Sequence, residues 1–284
     1  MTMFLAVVDG SIYSHSVCDH AAWFAKRANA EIEVIHILGR RDLASSNSNL
    51  SGNIGLGART ALLEELVELD AQKAKLSHKR GRAILDDAMQ RINEDGVTAV
   101  KTHLRTGEIV DTIQELETQT DMVVIGKRGE GAEFDSSHLG SNLERVIRSI
   151  HKPVLVAARE FKPMQRFLIA FDGGPSAMLA IKFVAEKAHY TDYECHLVMV
   201  KSPSVDANRE LEGAAATLEA GGYKVTTALI QGQPEKALAE YVETAGIDLL
   251  VMGAYGHSRI RSLIIGSTTT EMIRACKVPV LLFR

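Results

Sequence analysis

The sequence predicts an α/β protein of two doubly wound domains, each a five-stranded parallel sheet covered by helices. Three observations predict it. Short apolar segments alternate with segments of helical period along the chain, the pattern of βαβ units. The two halves of the 284 residues align with each other element by element. In both halves an Asp or a Gly stands just past a strand end, where doubly wound sheets hold their ligands.

The elements follow in order. FLAVVDGS (Phe4 to Ser11) and FLIAFDGG (Phe167 to Gly174) are short apolar strands ending in Asp. Ser14 to Ala28 and Ser176 to Ala188 have helical period. EIEVIHIL (Glu31 to Leu38) and CHLVMV (Cys195 to Val200) are β-branched strands. DMVVIG (Asp121 to Gly126) and DLLVMG (Asp248 to Gly253) are strands with a glycine exit. Each half closes with a Gly-Ser helix start and a Pro-initiated strand, over Leu139 to Ala158 and Ile265 to Arg284. Seven of those 20 positions are identical, and Pro stands 13 positions after Gly in both. The second half reads as five strands: Arg166–Phe171, Glu194–Val200, Lys224–Ile230, Ile247–Met252 and Val278–Phe283. The expected domains are 1–160 and 161–284. The first carries an insertion over about 39–82, because Asp9 to Gly126 spans 117 residues and Asp172 to Gly253 only 81. A polar loop and a charged helix over Arg59 to Asn93 occupy the extra length. In that helix Glu64, Glu65, Glu68 and Asp70 precede Lys73, Lys75, Lys79, Arg80 and Arg82, an order that suits the helix dipole.

Composition narrows the function. Hydrophobic residues make up 46% and charged residues 24%, values of a globular chain with ample core. The formal charge of −4 carries no basic excess for a nucleic-acid duplex. The three cysteines, Cys18, Cys195 and Cys276, lie at least 81 residues apart, so neither a zinc module nor a disulfide framework is expected. The run Phe4 to Val8 is too short for a signal peptide, and no stretch reaches 18 apolar residues. A cytoplasmic protein without membrane or nucleic-acid partners is the expectation.

The most informative segment runs from Gly253 through Gly256 to Gly266, Ser267 and Thr268. Glycine permits close backbone approach, turn N–H groups form anion nests, and a helix start offers unsatisfied donors and a positive dipole end. His257 and Arg259, with Arg261, lie in the loop between and suit phosphate charge. A plain strand–turn–helix connection is the alternative reading. No Walker A loop, GxGxxG, HExxH, GxSxG or kinase signature occurs.

With these residues in place, the chain resembles the universal stress protein family (UspA type), two such domains in tandem covering nearly all of it. The resemblance implies the adenine nucleotide alpha-hydrolase-like, Rossmann-like fold, and it implies that the two closing strands pair within the chain as an intramolecular pseudo-dimer. It also implies ATP or a related adenine nucleotide, with or without Mg²⁺. The Gly-x2-Gly-x9-Gly-Ser pattern of nucleotide-binding members is matched by Gly253, Gly256, Gly266 and Ser267. By the same resemblance, Asp172 holds the ribose or adenine side, Val200 frames adenine, and Met252 lies against the nucleotide. In the first half Asp9, Gly126, Gly129, Gly140 and Ser141 are present. However, ten residues separate Gly129 from Gly140, and Glu130, Glu133 and Asp135 lie between them. Carboxylates oppose polyphosphate, so binding is expected mainly in the second half.

Other readings stay open. Asp172 and Asp9 also suit turn roles. His36, His103 and His196 fall in strands and read as structural, as do Trp23 (core) and Cys276 (packing). The functional expectation is a stress-response sensor or adaptor toward a protein partner not identified by the sequence. The alternatives are a slow ATP hydrolase or a scaffold with degenerate pockets, with homodimerisation possible in each case.

Overall fold

The computed structural model describes residues 2–39, 56–129, 139–187, 190–254 and 266–284. The strands of the first half are β1 (Met3–Val7), β2 (Glu31–Leu38), β3 (Val100–Thr106), β4 (Met122–Gly126) and β5 (Val154–Ala157). Those of the second half are β6 (Arg166–Ala170), β7 (Glu194–Val200), β8 (Val225–Ile230), β9 (Leu249–Gly253) and β10 (Val280–Phe283). The first-half helices are α1 (Ser14–Ala28), α2 (Leu56–Glu94), α3 (Ile109–Leu116) and α4 (Ser141–Ser149). The second half has α5 (Pro175–Glu186), α6 (Val205–Ala220), α7 (Pro234–Thr244) and α8 (Ser267–Ala275).

Local chemistry explains several boundaries. Pro175 and Pro234 open α5 and α7, where a missing N–H costs nothing. The Ser204 side chain caps α6 by accepting from the Ala207 N–H at 3.1 Å. Helix α1 ends on Asn29 in the left-handed region, φ 47°, behind Lys26 and Arg27.

All ten strands form one sheet in the order β3-β2-β1-β4-β5-β10-β9-β6-β7-β8. Every neighbouring pair is parallel except β5 and β10, which run antiparallel with Leu155 opposite Leu281. The tandem chain thus makes the expected pseudo-dimer within itself. Strand order reverses between β1 and β4 and again between β6 and β9, so each half has its own switch-point crevice.

Two apolar layers sandwich the sheet, and each spans both halves. One joins Val17, Phe24, Leu85 and Ile92 with Ile181, Val184, Leu211 and Leu218. The other joins Ile113, Val146 and Ile147 with Leu238, Met272 and Ile273.

Three details differ from the sequence reading. Strand β3 was read only as a strand around His103, without bounds, because VKTHLRT alternates half-buried with exposed residues and lacks an apolar run. Trp23 is half-buried rather than core, stacking on Tyr190 of the other half at 6.0 Å. The acidic residues of α2 begin beyond its first turn, which holds none, so they sit too far in for the end dipole to act on them.

Candidate functional site

The second-half crevice opens at the carboxyl ends of β6, β7 and β9. Ala170 pairs with Met252 and Val198, which brings the chain just past each strand together. Asp172 is exposed at this rim, and its Oδ1 accepts from the Gly174 N–H at 2.7 Å. The turn role and the rim position therefore coexist in one side chain. Val200, half-buried, ends β7. Met252 is buried in the α7/α8 layer.

The glycines of this rim meet different constraints. A Cβ on Gly253 would lie 2.9 Å from Ser176 Cβ and 3.2 Å from the Ala177 nitrogen. Glycine there lets α5 start against the end of β9. At Gly266 the backbone is φ −57°, ψ 141°, which any residue adopts, and among the described residues an added Cβ meets nothing closer than 3.4 Å. Those residues do not demand glycine at that position.

Gly266 is the N-cap of α8, and no side chain caps that helix end. Ser267 is exposed and Thr268 half-buried in its first turn. The first N–H groups of a helix have no partner within it. Thr269 anchors this end: its buried Oγ1 donates to the carbonyls of Gly253 and Ala254, both at 3.3 Å. The Gly266 N–H also donates to the Ala254 carbonyl, at 3.2 Å. Sequence reasoning named Ser267 and Thr268 and passed over Thr269, whose contacts lie about four helical turns of chain away. Gly256, His257 and Arg259 lie outside the described residues.

The first-half crevice is built alike, and its glycines pack as closely on their neighbours. Asp9 Oδ1 accepts from the Ser11 N–H at 2.9 Å and from the Ser14 hydroxyl at 3.2 Å. Its Oδ2 stands 2.9 Å from where a Gly129 Cβ would be, so the carboxylate packs on Gly129. Gly126 meets Tyr13 Cβ at 2.8 Å in the same test. Ile84 of α2 presses on Gly10, whose φ is +80°, at 2.7 Å from a virtual Cβ. Gly140 caps α4, and Ser141 begins it, as Gly266 and Ser267 do in the second half.

Lys127, just past β4, was also missed by sequence reasoning. Its Nζ donates to the carbonyls of Arg274 (2.9 Å) and Cys276 (3.0 Å), so the first half holds the carboxyl end of α8. Burial lowers its pKa to about 8. Cys276 lies one residue past α8, and burial raises its thiol to about 11, fitting a packing role. His36 is buried, with Nδ1 2.8 Å from the Val8 carbonyl, and His196 stands 2.9 Å from the Tyr241 hydroxyl. Both act structurally. Among the described residues no cluster of three His, Cys, Asp or Glu could hold a metal ion. No helix there is long and apolar enough to cross a membrane.

Comparison with known proteins follows the same division. The model of the universal stress protein family matches residues 2–158 and 163–284. A universal stress protein of Synechocystis is 39% identical over the full length of both chains. One from Mycobacterium tuberculosis is 25% identical over 72% of this chain and 77% of its own. The crystal structure of a universal stress protein from Archaeoglobus fulgidus has a TM-score of 0.73 at 20% identity, over 99% of this chain and 96% of that one.

Proposed function

The chain belongs to the universal stress protein family, and from that premise we propose that its second half binds ATP or a related adenine nucleotide and acts as a sensor or adaptor in a stress response. The observation that carries this reading is Gly266. The described residues leave room for a side chain there and place no side-chain cap on α8, so a ligand approaching the start of that helix would account for glycine. In this reading the N–H groups of Ser267 and Thr268 receive phosphate, and Asp172 faces the ribose across the β6–β9 crevice. Val200 lies on the adenine side, and the buried Met252 forms the crevice floor. Gly256, His257 and Arg259 close over the phosphates from the intervening loop. Magnesium arrives coordinated by those phosphates.

The ten-residue spacing from Gly129 to Gly140 and the carboxylates of Glu130, Glu133 and Asp135 within it favour the second half over the first. Nucleotide binding would change the surface offered to a protein partner, by differential affinity for two states of the chain.

Titration calorimetry with ATP and magnesium tests this on the wild type and on Gly266→Thr, with phosphate release followed in parallel. Threonine caps a helix about as well as glycine, so the variant should fold. The expected result is one nucleotide per chain, affinity reduced at least tenfold in the variant, and no turnover. Equal binding by both proteins would overturn the assignment to Gly266. Steady phosphate release would replace the adaptor with a hydrolase.

A further inference from the structure

The inserted part of α2 carries an apolar seam that is half-buried or exposed among the described residues. Helix α2 runs 39 residues, about 58 Å at 1.5 Å per residue. Among the described residues its packing on the domain core begins near Arg80: Gly81 approaches His36 and Leu104, Ile84 touches Gly10, and Leu85, Ala88 and Ile92 are buried. From Leu62 to Arg80 no side chain is buried. Gly10 lies past the carboxyl end of β1, so this stretch projects beyond the crevice edge of the sheet.

Leu62, Leu66, Leu69, Lys73 and Leu76 follow at spacings of four, three, four and three, the seam of a coiled coil. Leu69 is 52% exposed and Leu76 67%, flanked by Leu63 at 45% and Val67 at 69%. Four of the seven large apolar side chains exposed among the described residues thus sit on this arm. Such a concentration marks an interaction surface.

Charge selects the occupant. Glu64, Glu65 and Glu68 have no basic residue three or four positions away on their own helix. Pairing within the helix therefore does not explain them, and neither does the dipole. The acidic block ends at Asp70 and the basic block, Lys73, Lys75, Lys79 and Arg80, follows. Two copies laid antiparallel, with a two-fold near Gln72, set each acidic block against the other's basic block. A parallel pair would set like on like. We propose that this arm docks on the same arm of a second copy of this chain, forming a short antiparallel coiled coil that joins two chains at the crevice side of their first halves.

Sedimentation velocity on the full chain, over a concentration series, tests this. The wild type should dimerise reversibly, and Leu69→Glu/Leu76→Glu should be monomeric with an unchanged melting temperature. Glu64→Lys/Glu65→Lys/Glu68→Lys alone, and Lys73→Glu/Lys75→Glu/Lys79→Glu alone, should each self-associate at least tenfold more weakly. Mixing these two variants should restore a heterodimer. A wild type that stays monomeric overturns the proposal. So does a dimer that survives the leucine changes, as edge pairing through β3 or β8 would. Charge variants that keep self-associating, or that fail to rescue each other, exclude the antiparallel arrangement.

Discussion

Gly253 and Gly266 answer to different demands, and two substitutions separate them. A methyl group on Gly253 would strike Ser176 and the backbone of Ala177. Gly253→Ala should therefore cost about 1–3 kcal/mol through overpacking, read from the denaturant midpoint. Gly266→Thr should stay within about 0.5 kcal/mol of the wild type while losing nucleotide, which calorimetry reads. His20 sets a third expectation. It is fully buried, with Nδ1 2.6 Å from the Ser16 carbonyl, and burial holds its pKa below the free value of 6.5. The folded chain keeps this imidazole neutral, whereas the unfolded chain takes up a proton below pH 6.5. That part of the stability is complete above pH 6.5 and is lost as pH falls, with a slope approaching about 1.4 kcal/mol per pH unit for one such group. Stability measured by urea unfolding at pH 7.5 and pH 5.5 should show this loss, and His20→Gln should flatten it. An unchanged slope in His20→Gln would assign the acid sensitivity to other groups, His196 first among them, since burial lowers its pKa too.

At the scale of elements, α8 is held at both ends by contacts of opposite range. Thr269 ties its start to the end of β9, and Lys127 reaches its carboxyl end from 147 to 149 residues away in the chain. Lys127→Met should cost about 1 kcal/mol, the net worth of the lost hydrogen bonds to the Arg274 and Cys276 carbonyls. The cost should appear as a lower melting temperature. These two residues also mark where sequence reading stops. The strand ends at Asp172 and Gly253 and the helix start at Gly266 were legible because an apolar run followed by Asp or Gly, and a Gly-Ser helix start, are local patterns. The long helix was legible too, from the surplus of chain between Asp9 and Gly126. Thr269 and Lys127 act on carbonyls that only the fold brings near, so no local signal marks them. Strand β3 was legible only at His103, without bounds, because half-exposed edge residues blur its pattern. Trp23 was placed in the core because helical spacing reports a buried face without saying whether a domain or a junction covers it.

For the whole molecule, the decisive contact is the antiparallel pair of β5 and β10. It turns two sheets of five strands into one of ten and makes both apolar layers continuous across the halves. Leu155 is fully buried and stands opposite Leu281, 4% exposed. Leu155→Ala and Leu281→Ala should each cost about 2–5 kcal/mol by leaving cavities. The pair should couple, because neighbours across strands share contacts: the double variant should depart from additivity by about 0.5 kcal/mol or more. Cooperativity is the sharper consequence. If the seam holds the halves as one unit, wild-type unfolding followed by tryptophan fluorescence and by circular dichroism should coincide. Trp23 stacks on Tyr190 across the junction of the halves, in the layer flanking the strands, and so reports their separation. Weakening β5–β10 should then separate the two signals, with the fluorescence change first. Coincident curves in the double variant would mean that the layers flanking the sheet join the halves without the central strands.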